Sequence, residues 1–317
     1  MKKLITAAAF AVGALVAGQA AAFDTVKIMI PANPGGGFDQ TGRNLGAAMQ
    51  AAGVAKTVTF ENKGGSGGVI GLAQFVNNDK GAPNALIVMG AVMVGAIETN
   101  RPPITLKNAT PIARLFGDAM VVVVPASSKI TSMKELVAQL KANPGSVSWS
   151  GGSRGSIDHI LAALIAKESG VDPTKVNYIP SAGGGESAAA IIGGQVTAGL
   201  AGYSEFAQHI KSGKMRALAV SSSAKLPGEA TATLKEQGIN IEIYNWRGVY
   251  GAPGITEAQQ KALIDAVVAA TNTPAWKGAL EKNDWTPLVL TGADFGKFVD
   301  AESARLGALL KEVGIAK

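Results

Sequence analysis

The chain has 317 residues, with 29 basic and 23 acidic side chains, and its formal net charge is +6. It contains no cysteine and only two histidines, which excludes cysteine nucleophiles, thiolate metal sites and histidine-rich metal sites. The basic residues are scattered, which argues against nucleic-acid binding because that function needs a clustered basic patch. A mildly positive protein instead suits an anionic small molecule.

The first 22 residues are predicted to be a secretory signal peptide. Lys2 and Lys3 precede an apolar run over residues 4–17, and residues 20–22 offer an A-x-A cleavage site. The apolar run is shorter than the ~20 residues of a membrane-spanning helix. We therefore expect a soluble, exported protein whose mature chain begins at about Phe23.

Short apolar segments alternate with amphipathic ones along the rest of the chain, a pattern typical of α/β proteins. The predicted strands are residues 26–30, 58–60, 85–89, 120–125, 147–150, 176–179, 196–201, 216–221 and 245–252. Two capping boxes predict helix starts, with Ser132 and Glu135 in the first and Thr256 and Gln259 in the second. The second helix places its apolar side chains on one face, at Leu263, Ile264, Val267 and Val268.

The length favours two domains. No Pro/Ser-rich linker separates them, so the chain is expected to cross between domains as extended strands, in "MVVVVPASS" and in "NWRGVYGAP". This predicts a first lobe of residues 23–123 and 248–317, a second lobe of residues 124–247, and a cleft between the two.

Two G-x-S-x-G patterns raise the alternative of a secreted serine hydrolase. Ser66 and Ser153 would be the nucleophiles, and His159 or His209 the base. The pattern arises easily by chance in a chain with 40 glycines, and His159 is only six residues from Ser153. Nucleotide motifs are incomplete, since Ile70 stands where a dinucleotide fingerprint needs glycine. We predict no enzymatic activity, no cofactor and no bound metal.

Four glycine-rich segments follow predicted strands and precede predicted helices: "PANPGGGFDQTG", "ENKGGSGGVIG", "GGSRGSIDHI" and "IPSAGGGESAAAIIGG". Bare backbone amides at a helix N-terminus bind carboxylate or phosphate. If the four segments converge on one cleft, they form an anion site made of amides and hydroxyls. The alternative is that they are simply tight turns, with Asp39 or Thr41 capping a helix, Arg154 on the surface and His159 in a packing role.

These segments resemble those of the Bug/TctC-type substrate-binding receptors of tripartite tricarboxylate transporters. The first resembles the P-x-x-P-G-G-x-x-D loop of that family, the second its N-x-x-G-A-G-G loop, and the third its S-x-G-x-G-S-x-x-H segment. "GGQV", "GKMRALA" and "NWRGVYGAPGI" resemble further family stretches, so the resemblance spans the mature chain. It implies a type II periplasmic-binding-protein fold, a periplasmic location, a monomer, and a permease of one large and one small integral membrane subunit as partner.

The resemblance also implies which residues hold the ligand. The proximal carboxylate site would comprise Gly35, Gly36, Gly37, Phe38, Asp39, Gly65, Ser66 and Gly67, and the distal site Ser153, Ser156, His159, Ser181, Ala182 and Gly183.

The chain also departs from the family pattern. Relatives often carry an acid or amide after the "GGQV" strand, where this chain has Ala201, Gly202 and Tyr203. The missing acid makes an amino-bearing ligand less expected than a plain carboxylate. Tyr203, Arg154 and Arg247 are further candidate ligand contacts, and the two arginines would answer a second or third carboxylate. We expect a receptor for a di- or tricarboxylate, citrate-like first, with a receptor for an aromatic or monocarboxylate, or an orphan sensory receptor, as alternatives.

Overall fold

The computed structural model describes residues 23–181 and 184–316, which fold into ten strands and ten α-helices. The predicted signal peptide and the predicted contacts Ala182 and Gly183 lie outside the described residues. The strands are β1 (Phe23–Ile30), β2 (Ala55–Asn62), β3 (Ala85–Gly90), β4 (Thr110–Pro125), β5 (Ser148–Gly151), β6 (Asn177–Pro180), β7 (Ala198–Gly202), β8 (Met215–Val220), β9 (Tyr244–Gly251) and β10 (Thr286–Thr291). The helices are α1 (Gly37–Ala51), α2 (Val69–Asn78), α3 (Ala91–Asn100), α4 (Met133–Ala142), α5 (Ile157–Glu168), α6 (Gly184–Ile192), α7 (Tyr203–Lys211), α8 (Glu257–Thr271), α9 (Pro274–Lys282) and α10 (Gly292–Glu312).

All nine predicted strands are present. The two helices with predicted capping boxes, α4 and α8, begin directly after Ser132 and Thr256. Thr256 and Gln259 form the complete capping box of α8. At α4, Ser132 accepts from the Glu135 N–H as predicted, but the Glu135 carboxylate accepts from the N–H of Thr131 instead of that of Ser132. The sequence missed β10, which is partly exposed and pairs with β4.

The strands form one continuous sheet in the order β2-β1-β3-β9-β4-β7-β5-β6, with β8 and β10 also paired to β4. Parallel pairs lie at both ends of this order, β1 with β2 and β3, and β5 with β6 and β7. Strand β4 joins the two ends, because residues 110–119 pair with β9 and residues 120–123 pair with β7. The lobe limits predicted from the sequence remain a prediction, since β4 and β9 each run through one of them.

The two ends of the sheet also contact each other through helices α3 and α5. A Cβ atom added to Gly95 of α3 would overlap the carbonyl oxygen of Gly155, just before α5. A Cβ atom added to Gly67 would lie 2.8 Å from Ser153 Oγ. The glycine backbones therefore allow the lobes to touch across the cleft. Among the described helices, none has the length and apolar character needed to cross a bilayer.

Candidate functional site

A cavity of about 140 Å³ lies between the two ends of the sheet. All four predicted glycine-rich segments contribute to its wall, which agrees with their expected convergence on one cleft. The lining residues are Pro31, Ala32, Asn33, Gly36, Gly37, Phe38, Gly65, Ser66, Gly67, Gly68, Val92, Gly151, Gly152, Ser153, Asp158, Ser181, Gly184, Ser187, Leu200, Ala201, Glu205, Asn245 and Arg247.

The first segment ends in the bare N-terminus of α1. The N-cap is Gly36, and no side chain caps the first turn. Asp39 accepts hydrogen bonds from Gly35 N at 3.0 Å, Arg43 Nε at 2.9 Å and Asn62 Nδ2 at 3.0 Å. Burial opposes ionisation of Asp39, but these hydrogen bonds outweigh it and hold its pKa below the usual value. The Asp39 side chain therefore holds the loop without lining the cavity, and it leaves the backbone amides of α1 facing the cavity.

The second segment has an unusual backbone. Gly65, Ser66, Gly67 and Gly68 all have positive φ, at 126°, 48°, 64° and 98°. Positive φ is accessible to glycine without strain, which explains the glycine content of this turn. Gly68 N donates to Gly65 O at 3.0 Å and closes the turn. Successive backbone N–H groups in a turn can form a concave site that suits an anion.

The third segment is held by hydrogen bonds to the side chains of Asp158 and His159. Asp158 Oδ2 accepts from Gly152 N at 2.7 Å and from Ser156 Oγ at 3.2 Å. Gly155 N donates to His159 Nδ1 at 3.2 Å, and the His159 ring stacks on Tyr178 at 4.1 Å. Burial and the positive charge of Arg154 lower the pKa of His159 to about 4, so the imidazole is neutral at neutral pH.

One wall of the cavity carries a cluster of buried charges. Arg247 Nη2 lies 3.0 Å from Glu205 Oε1 and 4.0 Å from Asp118 Oδ2, and Arg247 is only 2% exposed. Burial raises the pKa of Asp118 to about 7, opposed by Arg247 and by hydrogen bonds from Ser204. Burial also raises the pKa of Asp158 to about 7, reinforced by Glu205. Acidic groups therefore outnumber the cation in this wall.

Several polar atoms of the wall are buried without a hydrogen-bond partner among residues 23–181 and 184–316. They are Arg247 Nε and Nη1, Ser153 Oγ and Asn245 Oδ1. Buried polar groups in folded proteins are normally paired, so unpaired ones that line a cavity point to a polar ligand there. Within the same ranges, no cluster of His, Asp and Glu has the makings of a metal site.

The structure brings about half of the predicted contacts to the cavity. Those in the wall are Gly36, Gly37, Phe38, Gly65, Ser66, Gly67, Ser153, Ser181 and Arg247. Those away from the wall are Gly35, Asp39, Arg154, Ser156, His159 and Tyr203. Asp39, Ser156 and His159 have the loop-holding roles described above. Arg154 is exposed, whereas Tyr203, the first residue of α7, is fully buried in the core.

Two acids of the cavity wall, Asp158 and Glu205, were not predicted from the sequence. Residues 201–203, where relatives often carry an acid or amide, hold no acid, but acids from neighbouring positions line the cavity. Glu205 reaches the wall from the first turn of α7, four residues after Ala201, and Asp158 reaches it from the first turn of α5. The position of these acids in the first turns of the helices after β5 and β7 could have indicated them, because those helix starts face the same cleft as the glycine-rich segments.

Comparison with known proteins decides the family. A family model described as the tripartite tricarboxylate transporter family receptor matches residues 43–315. The chain belongs to this family. It is also 30% identical over 304 residues to the UPF0065 protein in the gbd 5′ region of Cupriavidus necator, covering 92% of this chain and 88% of that one. Members of this receptor family are periplasmic, and this receptor is a solute-binding protein and not an enzyme.

Solved structures show the fold. The receptor is similar to the periplasmic binding protein BugD, with a TM-score of 0.79 and 24% identity over 92% of this chain and 98% of BugD. Rhodopseudomonas palustris MatC with bound malate has a TM-score of 0.78 at 20% identity, covering 90% of this chain and 98% of MatC. R. palustris Rpa4515 with adipate has a TM-score of 0.82 at 21% identity, covering 92% and 98%. These similarities confirm the predicted two-lobed periplasmic-binding-protein fold.

Proposed function

We propose that this receptor binds an organic di- or tricarboxylate, citrate-like first, and delivers it to a permease with one large and one small integral membrane subunit. The observation that carries the proposal is that the bare N-terminus of α1, the glycine-rich turn at residues 65–67 and the buried guanidinium of Arg247 all line one small cavity. Amides at a helix N-terminus suit one carboxylate, and a guanidinium with unpaired N–H groups suits another.

In this arrangement each end of the ligand has its own partners. The proximal carboxylate would take the amides of α1 and of the turn at Ser66 and Gly67. A second carboxylate would take Ser153 Oγ and the Arg247 N–H groups that have no partner among the described residues; Ser153 lies beside Gly67, and Arg247 beside Gly37. Contact between the lobes removes water from the cavity, which strengthens each of these hydrogen bonds.

The size and chemistry of the ligands seen in related folds support the same class. Malate and adipate, the ligands of the two R. palustris proteins, are both small dicarboxylates. A cavity of about 140 Å³ suits a small acid.

The test is a thermal-unfolding screen at pH 7.5 with citrate, tricarballylate, succinate, malate, adipate, phthalate and benzoate. A ligand at 100 times its Kd stabilises the folded state by about 2.7 kcal/mol, which gives a clear rise in Tm. We expect a rise with at least one di- or tricarboxylate and none with glucose or putrescine. A rise in Tm with benzoate alone would favour a monocarboxylate ligand over a di- or tricarboxylate. A rise with glucose or putrescine alone would refute the anion site.

We further propose that residues 1–22 are removed on export and that the receptor is a monomer in the periplasm. Intact-mass measurement of the exported protein is expected to give a chain that begins at about residue 23. Light scattering is expected to give the mass of one mature chain.

A further inference from the structure

The cavity wall carries more acidic than basic side chains, which is unfavourable for binding an anionic ligand. Among the described lining residues they are Asp158, Glu205 and Arg247, which make two carboxyl groups against one guanidinium. The same Nη2 atom of the guanidinium bonds Glu205 and has Asp118 at 4.0 Å. A ligand carboxylate adds another negative charge beside these buried carboxyl groups. Closely spaced buried carboxylates do not all ionise.

Asp158 is the carboxyl group best placed to take up a proton. It is 5% exposed, and its Oδ2 is occupied by the N–H of Gly152 and the hydroxyl of Ser156. Its Oδ1 has no hydrogen bond within the described ranges, although Asp158 lines the cavity. One oxygen is therefore anchored and the other is available to the ligand space.

The groups around Asp158 leave it without a cation of its own. Glu205 on α7 repels its negative charge, and Arg247 on β9 attracts it more weakly than Glu205 repels it. From β6, the Tyr178 hydroxyl donates to Gly152 O instead of to Asp158. On its own helix, His159 is neutral and its Nδ1 is occupied by Gly155 N, while Arg154 is exposed to solvent.

We propose that Asp158 binds the ligand as a carboxylic acid: Oδ1–H donates a hydrogen bond to a ligand carboxylate, and one proton is taken up from solvent for each anion bound. The inference rests on the proposed function, because it requires a carboxylate ligand. No bond other than O–H forms, and the proton comes from water or buffer.

Protonation of Asp158 costs little free energy at neutral pH. Burial raises the pKa of Asp158 to about 7 even with the cavity empty, and a ligand carboxylate beside it raises that pKa further. Protonation turns Asp158 from a repelling acceptor into a donor. Asp118 has a similarly raised pKa, but it accepts from Ser204 and does not line the cavity, so it cannot reach a ligand there.

The test is isothermal titration calorimetry of the mature receptor with citrate, tricarballylate, malate and adipate at pH 7.5 and 8.5, where these acids are ionised. Imidazole, Tris and HEPES buffers differ in ionisation enthalpy, so the observed heat reports proton uptake. We expect uptake approaching one proton per ligand, and an affinity that falls about tenfold between pH 7.5 and 8.5. Heats independent of buffer for an acid that binds would overturn the inference and leave the proposed function intact.

Substitutions of single aspartates identify which carboxyl group takes up the proton. Asp158→Asn keeps an oxygen for Gly152 N and supplies a permanent neutral donor, so it should bind the same acid with no proton uptake and no change in affinity between the two pH values. Asp118→Asn and the exposed control Asp24→Asn should keep the uptake. Uptake that survives Asp158→Asn would place the proton elsewhere and refute the inference.

A second readout does not depend on the variant folding. Infrared difference spectra of the wild-type receptor should gain the C=O band of a protonated carboxyl group when the acid binds. Absence of that band with a bound acid would contradict the inference. If none of the four acids binds, the proposed function and this inference both fail.

Discussion

Arg247 Nη2 lies 3.0 Å from Glu205 Oε1, and this ion pair joins strand β9, which runs beside β4 between the two ends of the sheet, to the first turn of α7. Both residues line the ligand cavity, and Arg247 is almost fully buried. A buried arginine in such a wall does two things at once. It neutralises the surrounding acids, and it supplies N–H groups that a ligand would complete.

Arg247→Met is expected to destabilise the receptor by about 3–5 kcal/mol, because it leaves Glu205 and Asp118 buried without a cation. Urea unfolding measures the stability, and the rise in Tm with the bound acid measures affinity; we expect both to drop. Glu205→Gln is the matched variant, since it keeps an oxygen for Arg247 and removes one negative charge. It should change stability by less than about 1 kcal/mol and tighten anion binding, and weaker binding would contradict this account of the wall.

Gly37 is expected to be required for the position of Arg247. A Cβ atom at Gly37 would overlap the guanidinium, whereas one at the neighbouring Gly36 would lie 4.0 Å from the nearest atom, Asn33 O. Gly37→Ala should therefore destabilise the unliganded receptor by about 1–3 kcal/mol through overpacking. Gly36→Ala has an extended backbone suited to alanine and should leave the Tm of the unliganded protein unchanged. Equal Tm values for the two variants would show that the guanidinium moves aside freely.

Gly95 is expected to control contact between the lobes. Its Cα faces the carbonyl oxygen of Gly155, where an added methyl group has no room. Gly95→Ala should weaken ligand binding at least about tenfold, because the added methyl group keeps α3 away from the backbone just before α5. Small-angle scattering with saturating ligand should give a larger radius of gyration than the wild type. Gly278→Ala is the control, because that helical glycine has no atom within 4 Å of its Cβ position; a compact Gly95→Ala complex would argue against the contact.

The stability of the receptor is expected to rise as the pH falls from 8 to 5. Burial holds the pKa of Asp118 near 7 in the folded state, against 3.8 ordinarily, so the folded state binds a proton that the unfolded state releases. A single such group contributes about 2–3 kcal/mol over this range. Urea unfolding at pH 8 and pH 5 should show the rise, and Asp118→Asn should reduce it. An equal slope in both proteins would show that Asp118 does not carry this proton.

The sequence was sufficient for elements whose environment is local. Strand β1 ends in a buried apolar run at residues 28–30 and lies between two parallel neighbours. The cap of α8 lies within four residues. Strand β10 was missed because one edge pairing with β4 holds it, and Pro287 and its exposed side chains resemble a loop. Bare glycine turns could be predicted as a site because the absence of side chains is visible in the sequence.

The charged wall could not be predicted in the same way. Glu205 and Arg247 are 42 residues apart, and Asp118 meets Ser204 across 86 residues. Nothing local marks these side chains as buried, since each depends on a partner brought in by another element. His159 shows the opposite case, where a conspicuous residue proves to hold a loop through Gly155 N.

The contact between Gly95 and Gly155 involves backbone alone, whereas the chemical character of the cavity comes from side chains such as Glu205, Asp158 and Arg247. Docking of the lobes and choice of ligand are therefore separable in this architecture. Substitutions in the wall can retune which acid is accepted while the docking surface is inherited unchanged. A single scaffold of this kind can diversify into receptors for many solutes while the backbone contact between its lobes stays the same.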